Sequence, residues 1–112
     1  MKLYGIPNCD SVKKARKLLN ELGADYQFHD FRKDGIELEQ LQSWQQAVAF
    51  NTLINKRSTS WRQLSDEQKQ DLEQNQNLTI LLENPTLIKR PVIEYKDKII
   101  VGFNAETLKS LL

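Results

Sequence analysis

Lys2-Leu3-Tyr4-Gly5-Ile6-Pro7-Asn8-Cys9-Asp10-Ser11-Val12-Lys13-Lys14-Ala15 is the stretch whose reading decides the fold. Lys2 to Ile6 reads as a short buried strand. Pro7-Asn8 breaks it, and Asp10 to Ala15 opens a helix. Cys9, the only cysteine of the chain, stands at the mouth of this strand-to-helix turn. Unsatisfied N–H groups and the positive end of the helix dipole favour a thiolate at such a place.

Working outward, Val12, Ala15, Leu18, Leu19 and Leu22 form a helical apolar stripe, with Lys13, Lys14, Arg16 and Lys17 on the outer face. Gly23 is a good C-terminal stop. Residues 24–31 alternate, with Tyr26, Phe28 and Phe31 directed inward, and read as a second strand. A strand, a crossover helix and a strand of these lengths predict a right-handed parallel pair. Arg32-Lys33-Asp34-Gly35 reads as a polar turn. From Ile36 the helical period returns, with Leu38, Leu41, Trp44 and Val48 on one face. Phe50 to Ile54 and Trp61 to Leu64 read as short helical pieces, separated by a loop over Asn55 to Ser60. Ser65-Asp66-Glu67-Gln68 is a capping box opening a helix to about Glu73. Leu78 to Glu83 is a further helix stopped by Asn84-Pro85.

The pattern changes after residue 85. Thr86 to Pro91 reads as extended. Val92 to Tyr95 and Lys98 to Val101 are two strands joined by a tight turn at Lys96-Asp97, an antiparallel hairpin. Asn104 is a cap for a closing helix in which Leu108, Leu111 and Leu112 point inward. The order βα, β, helical insert, ββα predicts an α/β, thioredoxin-like domain: a mixed four-stranded sheet with flanking helices. The chain reads as one domain over residues 1–112 with a helical insert at about 36–84.

Bulk composition excludes several classes. Net charge is +1, with 39% hydrophobic and 28% charged residues, so no bulk field draws the chain to nucleic acid or anionic lipid. No apolar run approaches the ~20 residues of a membrane span, and the N-terminal residues lack the zones of a signal peptide. A single cysteine fits a cytoplasmic location and permits only intermolecular sulfur chemistry. One Cys and one His cannot close a metal site, and no glycine-rich phosphate loop is present.

Each candidate residue has a bland reading beside the chemical one. Cys9 could be a small buried hydrophobe, but Pro7, Asn8, Asp10 and Ser11 place it at an element end. Lys13 lies one helical turn on and could help hold a thiolate, whereas Asp10 opposes one. Arg90 offers a planar fork for a carboxylate or oxyanion, or is one half of a solvated basic pair with Lys89. Lys56-Arg57 reads as part of a solvated, capped loop. His29 next to Asp30 reads as structural, with a Cys9–His29 pair as the alternative.

The segment Tyr4 to Ala15, taken with Pro85 and Ile88-Lys89-Arg90-Pro91, resembles the arsenate reductase ArsC/Spx family. Lys56 to Arg62 and Val101-Gly102-Phe103 are similar to its small YffB-type members. The resemblance spans essentially the whole chain. It implies a thioredoxin fold with a helical insert, a nucleophilic Cys9, and Arg90 holding the oxyanion or thiolate. Pro91 matches the proline that is cis in this fold. It further implies a thiol reductase using glutathione, with no tightly bound cofactor, in which glutathione or glutaredoxin resolves a mixed disulfide. Asn8, Asp10, Ser11, Lys13, Lys56, Arg57 and Pro91 are then expected to bind substrate or glutathione. Where arsenate reductases carry further arginines, this chain has Asn55 and Gly102-Phe103-Asn104, so arsenate is not the expected substrate. Val12 stands where Spx-type regulators carry a second cysteine. The alternative that the resemblance implies is a Spx-like protein that docks on RNA polymerase without chemistry. A monomer is expected.

Overall fold

The computed structural model describes residues 1–112. The chain divides into two compact units, one formed by Met1–Asp34 with Arg90–Leu112, the other by Gly35–Lys89.

The first unit is built on strands β1 (Lys2–Gly5), β2 (Gln27–Asp30), β3 (Val92–Tyr95) and β4 (Lys98–Val101), with helices α1 (Asp10–Glu21) and α7 (Ala105–Leu111). The sheet order is β2-β1-β3-β4. β1 and β2 are parallel, with Gly5 opposite Asp30. β1–β3 and β3–β4 are antiparallel, with Leu3 opposite Ile93. This is the mixed sheet that the element order predicts. The second unit holds α2 (Leu38–Ala47), α3 (Phe50–Leu53), α4 (Thr59–Gln63), α5 (Asp66–Asn75) and α6 (Leu78–Glu83), followed by a 3-10 turn at Pro85–Leu87.

Alternation along β1 divides its side chains between two faces. Leu3 and Ile93 meet Val12, Ala15 and Leu19 of α1 and Leu108 of α7 in one apolar cluster, each at most 1% exposed. Tyr4 points the other way and lies in ring contact with His29 (4.8 Å) and Phe31 (6.3 Å), while its hydroxyl donates to Glu94 Oε1 at 2.7 Å. Gly5 follows. A Cβ built there would lie 2.5 Å from Val12 Cγ2, so the absence of a side chain is what lets the first turn of α1 sit against the strand.

Local chemistry sets the element ends. α1 stops in a Schellman motif: Gly23, at φ 70°, donates to Asn20 O, and Ala24 donates to Leu19 O. The Lys96-Asp97 turn takes a left-handed residue at Lys96 (φ 54°). Ser65 and Gln68 form the expected capping box on α5. Asn104 caps α7, its Oδ1 accepting from Thr107 N–H at 3.0 Å. Asn104→Ala is expected to cost about 1 kcal/mol and to lower Tm by roughly 4–8 °C. A calorimetric scan checks this; an unchanged Tm would mean that α7 is held by the packing of Leu108 and Leu111 alone.

The sequence reading needs three corrections. Leu38 and Leu112 are 42% and 53% exposed: one is the first residue of α2, ahead of the packed turns at Leu41 and Trp44, and the other lies beyond the last turn of α7. Thr86 and Leu87 are not extended, because Pro85, with its fixed φ, starts a 3-10 turn. Tyr26 and Phe28 do point inward, half-buried against the Leu3–Leu108 cluster. Arg16, read as an outer-face residue, instead lies over the Phe28 ring at 4.2 Å and donates to Tyr26 Oη at 3.3 Å.

Candidate functional site

The geometry starts from the C-terminal end of β1. After Gly5 the chain turns through Ile6-Pro7-Asn8, and Cys9 N–H donates to Ile6 O at 3.2 Å. Cys9 is the N-cap residue of α1, extended at φ −88°, ψ 129°, and its carbonyl accepts the first helical bond from Lys13 N–H at 2.9 Å. The thiol is half-buried. Its sulfur makes no capping hydrogen bond of ordinary geometry, but the N–H groups of Val12 and Ser11 are directed at it.

Four influences act on that thiol. Burial pushes its pKa up. The N–H of Val12, the Arg90 guanidinium (through both a hydrogen bond and its charge) and the N–H of Ser11 pull it down. The lowering effects win, so the thiol titrates below its ordinary value.

Arg90 reaches Cys9 because β3 lies beside β1. Pro91, buried directly ahead of β3, follows a cis Arg90–Pro91 bond, and its carbonyl accepts from Gly102 N–H at 2.8 Å. The backbone that carries Arg90 is thereby tied to the end of β4.

Ile6, Asn8, Cys9, Arg32 and Arg90 line one concavity of about 100 Å³. Of the residues singled out in the sequence, Cys9, Asn8 and Arg90 come together here. Asp10 and Ser11 form the first turn of α1, where Ser11 contributes its N–H. Lys13 stands on the exposed face of α1 and is not among the groups acting on the thiol, because at the second turn its Cβ is directed away from the buried Val12–Ala15 side. Lys56 and Arg57 belong to the other unit. There they border a shallow basin of about 370 Å³ with Ile54, Asn55 and Lys89, and Lys56 Nζ lies 3.1 Å from Glu73 Oε1. His29 lies in tilted ring contact with Tyr4 and does not line the Cys9 concavity.

Arg32 is the residue that sequence reasoning missed. It follows β2 by two positions, in a turn fixed by Phe31 N–H to Gly5 O (2.9 Å) and Arg32 N–H to Asp30 Oδ1 (2.9 Å). The parallel β1–β2 pairing was the available signal. It places the residues just past Gly5 and those just past Asp30 at the same end of the sheet.

Comparison with known proteins points the same way. A family model described as the ArsC family matches residues 4–111. A protein of Haemophilus influenzae is 45% identical over 102 residues, covering 91% of this chain and 90% of its own. The solved structure of a YFFB protein is 38% identical, covers 99% of this chain and 97% of its own, and superposes with a TM-score of 0.93. A global transcriptional regulator Spx, from Lactiplantibacillus plantarum, is 27% identical over 112 residues, 98% of this chain and 84% of its own.

Proposed function

Since the chain belongs to the ArsC family, we propose that it is a thiol-dependent reductase of the cytoplasm, with Cys9 as sole nucleophile and glutathione as co-substrate. The observation that carries the reading is a half-buried thiol at a helix N-cap, lowered in pKa and facing Arg90. At neutral pH a larger share of such a thiol is thiolate, the species that attacks sulfur. The thiolate attacks an oxidised sulfur, and Cys9 becomes half of a mixed disulfide. With one cysteine in the chain, resolution falls to a second glutathione or to glutaredoxin. Arg90 holds the thiolate in the resting protein and steadies negative charge during exchange. Arsenate is not the proposed substrate, since Asn55 and Gly102-Phe103-Asn104 stand where further arginines are expected.

Intact-mass measurement after exposure to oxidised glutathione tests this. One glutathione adduct is expected, absent in Cys9→Ser and removed by reduced glutathione. Failure to form it, or an adduct that persists in Cys9→Ser, counts against the reading. Alignment with Spx over 98% of the chain favours a second reading, docking on RNA polymerase without chemistry. Stoichiometric capture of polymerase by Cys9→Ser protein would support it.

A further inference from the structure

We propose that Arg32 is a substrate-binding residue that, with Arg90, selects disulfides carrying a carboxylate close to the sulfur. This rests on the reading of Cys9 as nucleophile. The concavity at Cys9 is lined by two guanidinium groups and no carboxylate, so it favours an anion. Its volume is small, about 100 Å³. It is sized to hold the reacting sulfur and a nearby carboxylate, with the remainder of a larger substrate extending beyond it.

The two arginines are not equivalent. Arg90 already acts on the Cys9 thiol. Arg32 is exposed and forms no ion pair, so its fork of donors is available to an incoming carboxylate. The acids beside it accept from backbone N–H groups and form no ion pair with its side chain. Asp30 Oδ1 accepts from the backbone N–H of Arg32 at 2.9 Å and of Lys33 at 3.4 Å, and Asp34 Oδ2 accepts from Asp30 N–H at 3.1 Å. These bonds, with Asp34 N–H to Asp30 O at 2.8 Å, fix the turn that presents Arg32.

The chemical step is ordinary exchange. Cys9 thiolate attacks one sulfur of the substrate, a Cys9–sulfur bond forms, and the substrate's own sulfur–sulfur bond breaks. Cys9 is oxidised to the mixed disulfide, and the departing half is reduced to a thiolate that takes a proton from water. A carboxylate held by Arg32 orients the attacked sulfur toward Cys9 and adds nothing to the thiolate itself.

The test measures the rate of Cys9 mixed-disulfide formation, by mass, with three small disulfides: 3,3′-dithiodipropionate, 2-hydroxyethyl disulfide and cystamine. Each rate is divided by that of a free small thiol with the same reagent. The wild-type protein is expected to prefer the dianionic reagent over the neutral one by about fivefold, the factor of a solvent-accessible ion pair. The preference should shrink in high salt. Arg32→Gln is expected to abolish most of it by slowing the dianionic reagent several-fold more than the neutral one, with an unchanged thermal unfolding midpoint reporting intact folding. Arg32→Lys should retain part of it. An intact preference in Arg32→Gln, or an equal loss for dianionic and neutral reagents, overturns the assignment while leaving Cys9 a nucleophile. If no disulfide modifies Cys9, the reductase reading and the assignment fall together.

Discussion

When Arg90 is replaced by methionine, Cys9 is expected to titrate at higher pH, and the pH–rate curves of mutant and wild type to cross. Arg90 contributes both a hydrogen bond and a positive charge to the thiolate. Methionine keeps much of the bulk and supplies neither. Two effects then compete. The mutant has less thiolate at neutral pH, but a thiolate of higher pKa is the better nucleophile. With a Brønsted slope of about 0.4–0.5, each tenfold loss of thiolate returns roughly threefold in intrinsic reactivity. Exchange with neutral 2-hydroxyethyl disulfide at pH 7 should therefore slow by only about threefold per tenfold of thiolate lost, whereas on the alkaline plateau the mutant should be faster. A single-pH assay would understate the role of Arg90; the displaced midpoint and the crossing reveal it. Coincident midpoints would show that the Val12 and Ser11 N–H groups hold the thiolate unaided. The linked stability has a definite sign. A group whose folded pKa is lowered contributes stability above its unfolded pKa, and that contribution is lost as pH falls through the folded value. The stability difference between wild type and mutant should thus be larger in mild alkali than at pH 6, a comparison that urea unfolding at the two pH values makes.

The second large effect is expected at Gly5. An alanine Cβ would stand 2.5 Å from Val12 Cγ2. Val12 is fully buried, and as a β-branched helical residue it has essentially one rotamer. The clash is therefore relieved by moving the first turn of α1. Overpacking of this kind costs about 1–3 kcal/mol, which corresponds to roughly 10 °C in Tm for a domain of this size. The same displacement withdraws the Val12 N–H from the Cys9 sulfur, so the thiol pKa should rise along with the loss of stability. Val12→Ala removes the methyl groups that clash. In that background Gly5→Ala should cost far less, and a double-mutant cycle of unfolding free energies reads the difference. Equal costs of Gly5→Ala in both backgrounds would mean that the helix is not seated on the strand as described.

Much of this was written locally in the chain. The turn at Pro7-Asn8, the Ser65 box, the Asn104 cap and the Val92–Val101 hairpin are each set by a few neighbouring residues, and they appear as read, whereas the stripe on α1 is buried at Val12, Ala15 and Leu19 but ends before Leu22, which is 41% exposed. The likeness to the ArsC family is matched by the family model over residues 4–111. Less legible was whatever depends on partners distant in sequence. Leu38 fits the apolar stripe of α2 by spacing, yet its place in the first turn leaves it exposed. Arg16 belongs by period to a charged face, and only the position of β2 reveals that it lies over Phe28. Lys13 is near Cys9 along the chain, but Val12 N–H acts on the thiol, because a helix aims its free amides inward at its own cap while its side chains spread around the axis. Arg32 read as a turn residue because turn composition carries no sign of what the turn adjoins.

The β1–β3 pairing joins residues about ninety positions apart: Lys2 lies opposite Glu94, and Tyr4 opposite Val92. β1, Cys9 and α1 are synthesised early, while Arg90 and the strand behind it follow only after all of Gly35–Lys89 has been synthesised. At the pace of translation, about 5–20 residues per second, the nascent chain spends several seconds carrying its thiol without the Arg90 guanidinium that lowers its pKa in the folded protein. The influence of Arg90 on the thiol thus arrives with late, long-range closure of the sheet, and a chain truncated before residue 90 would hold Cys9 with the Val12 and Ser11 N–H groups alone.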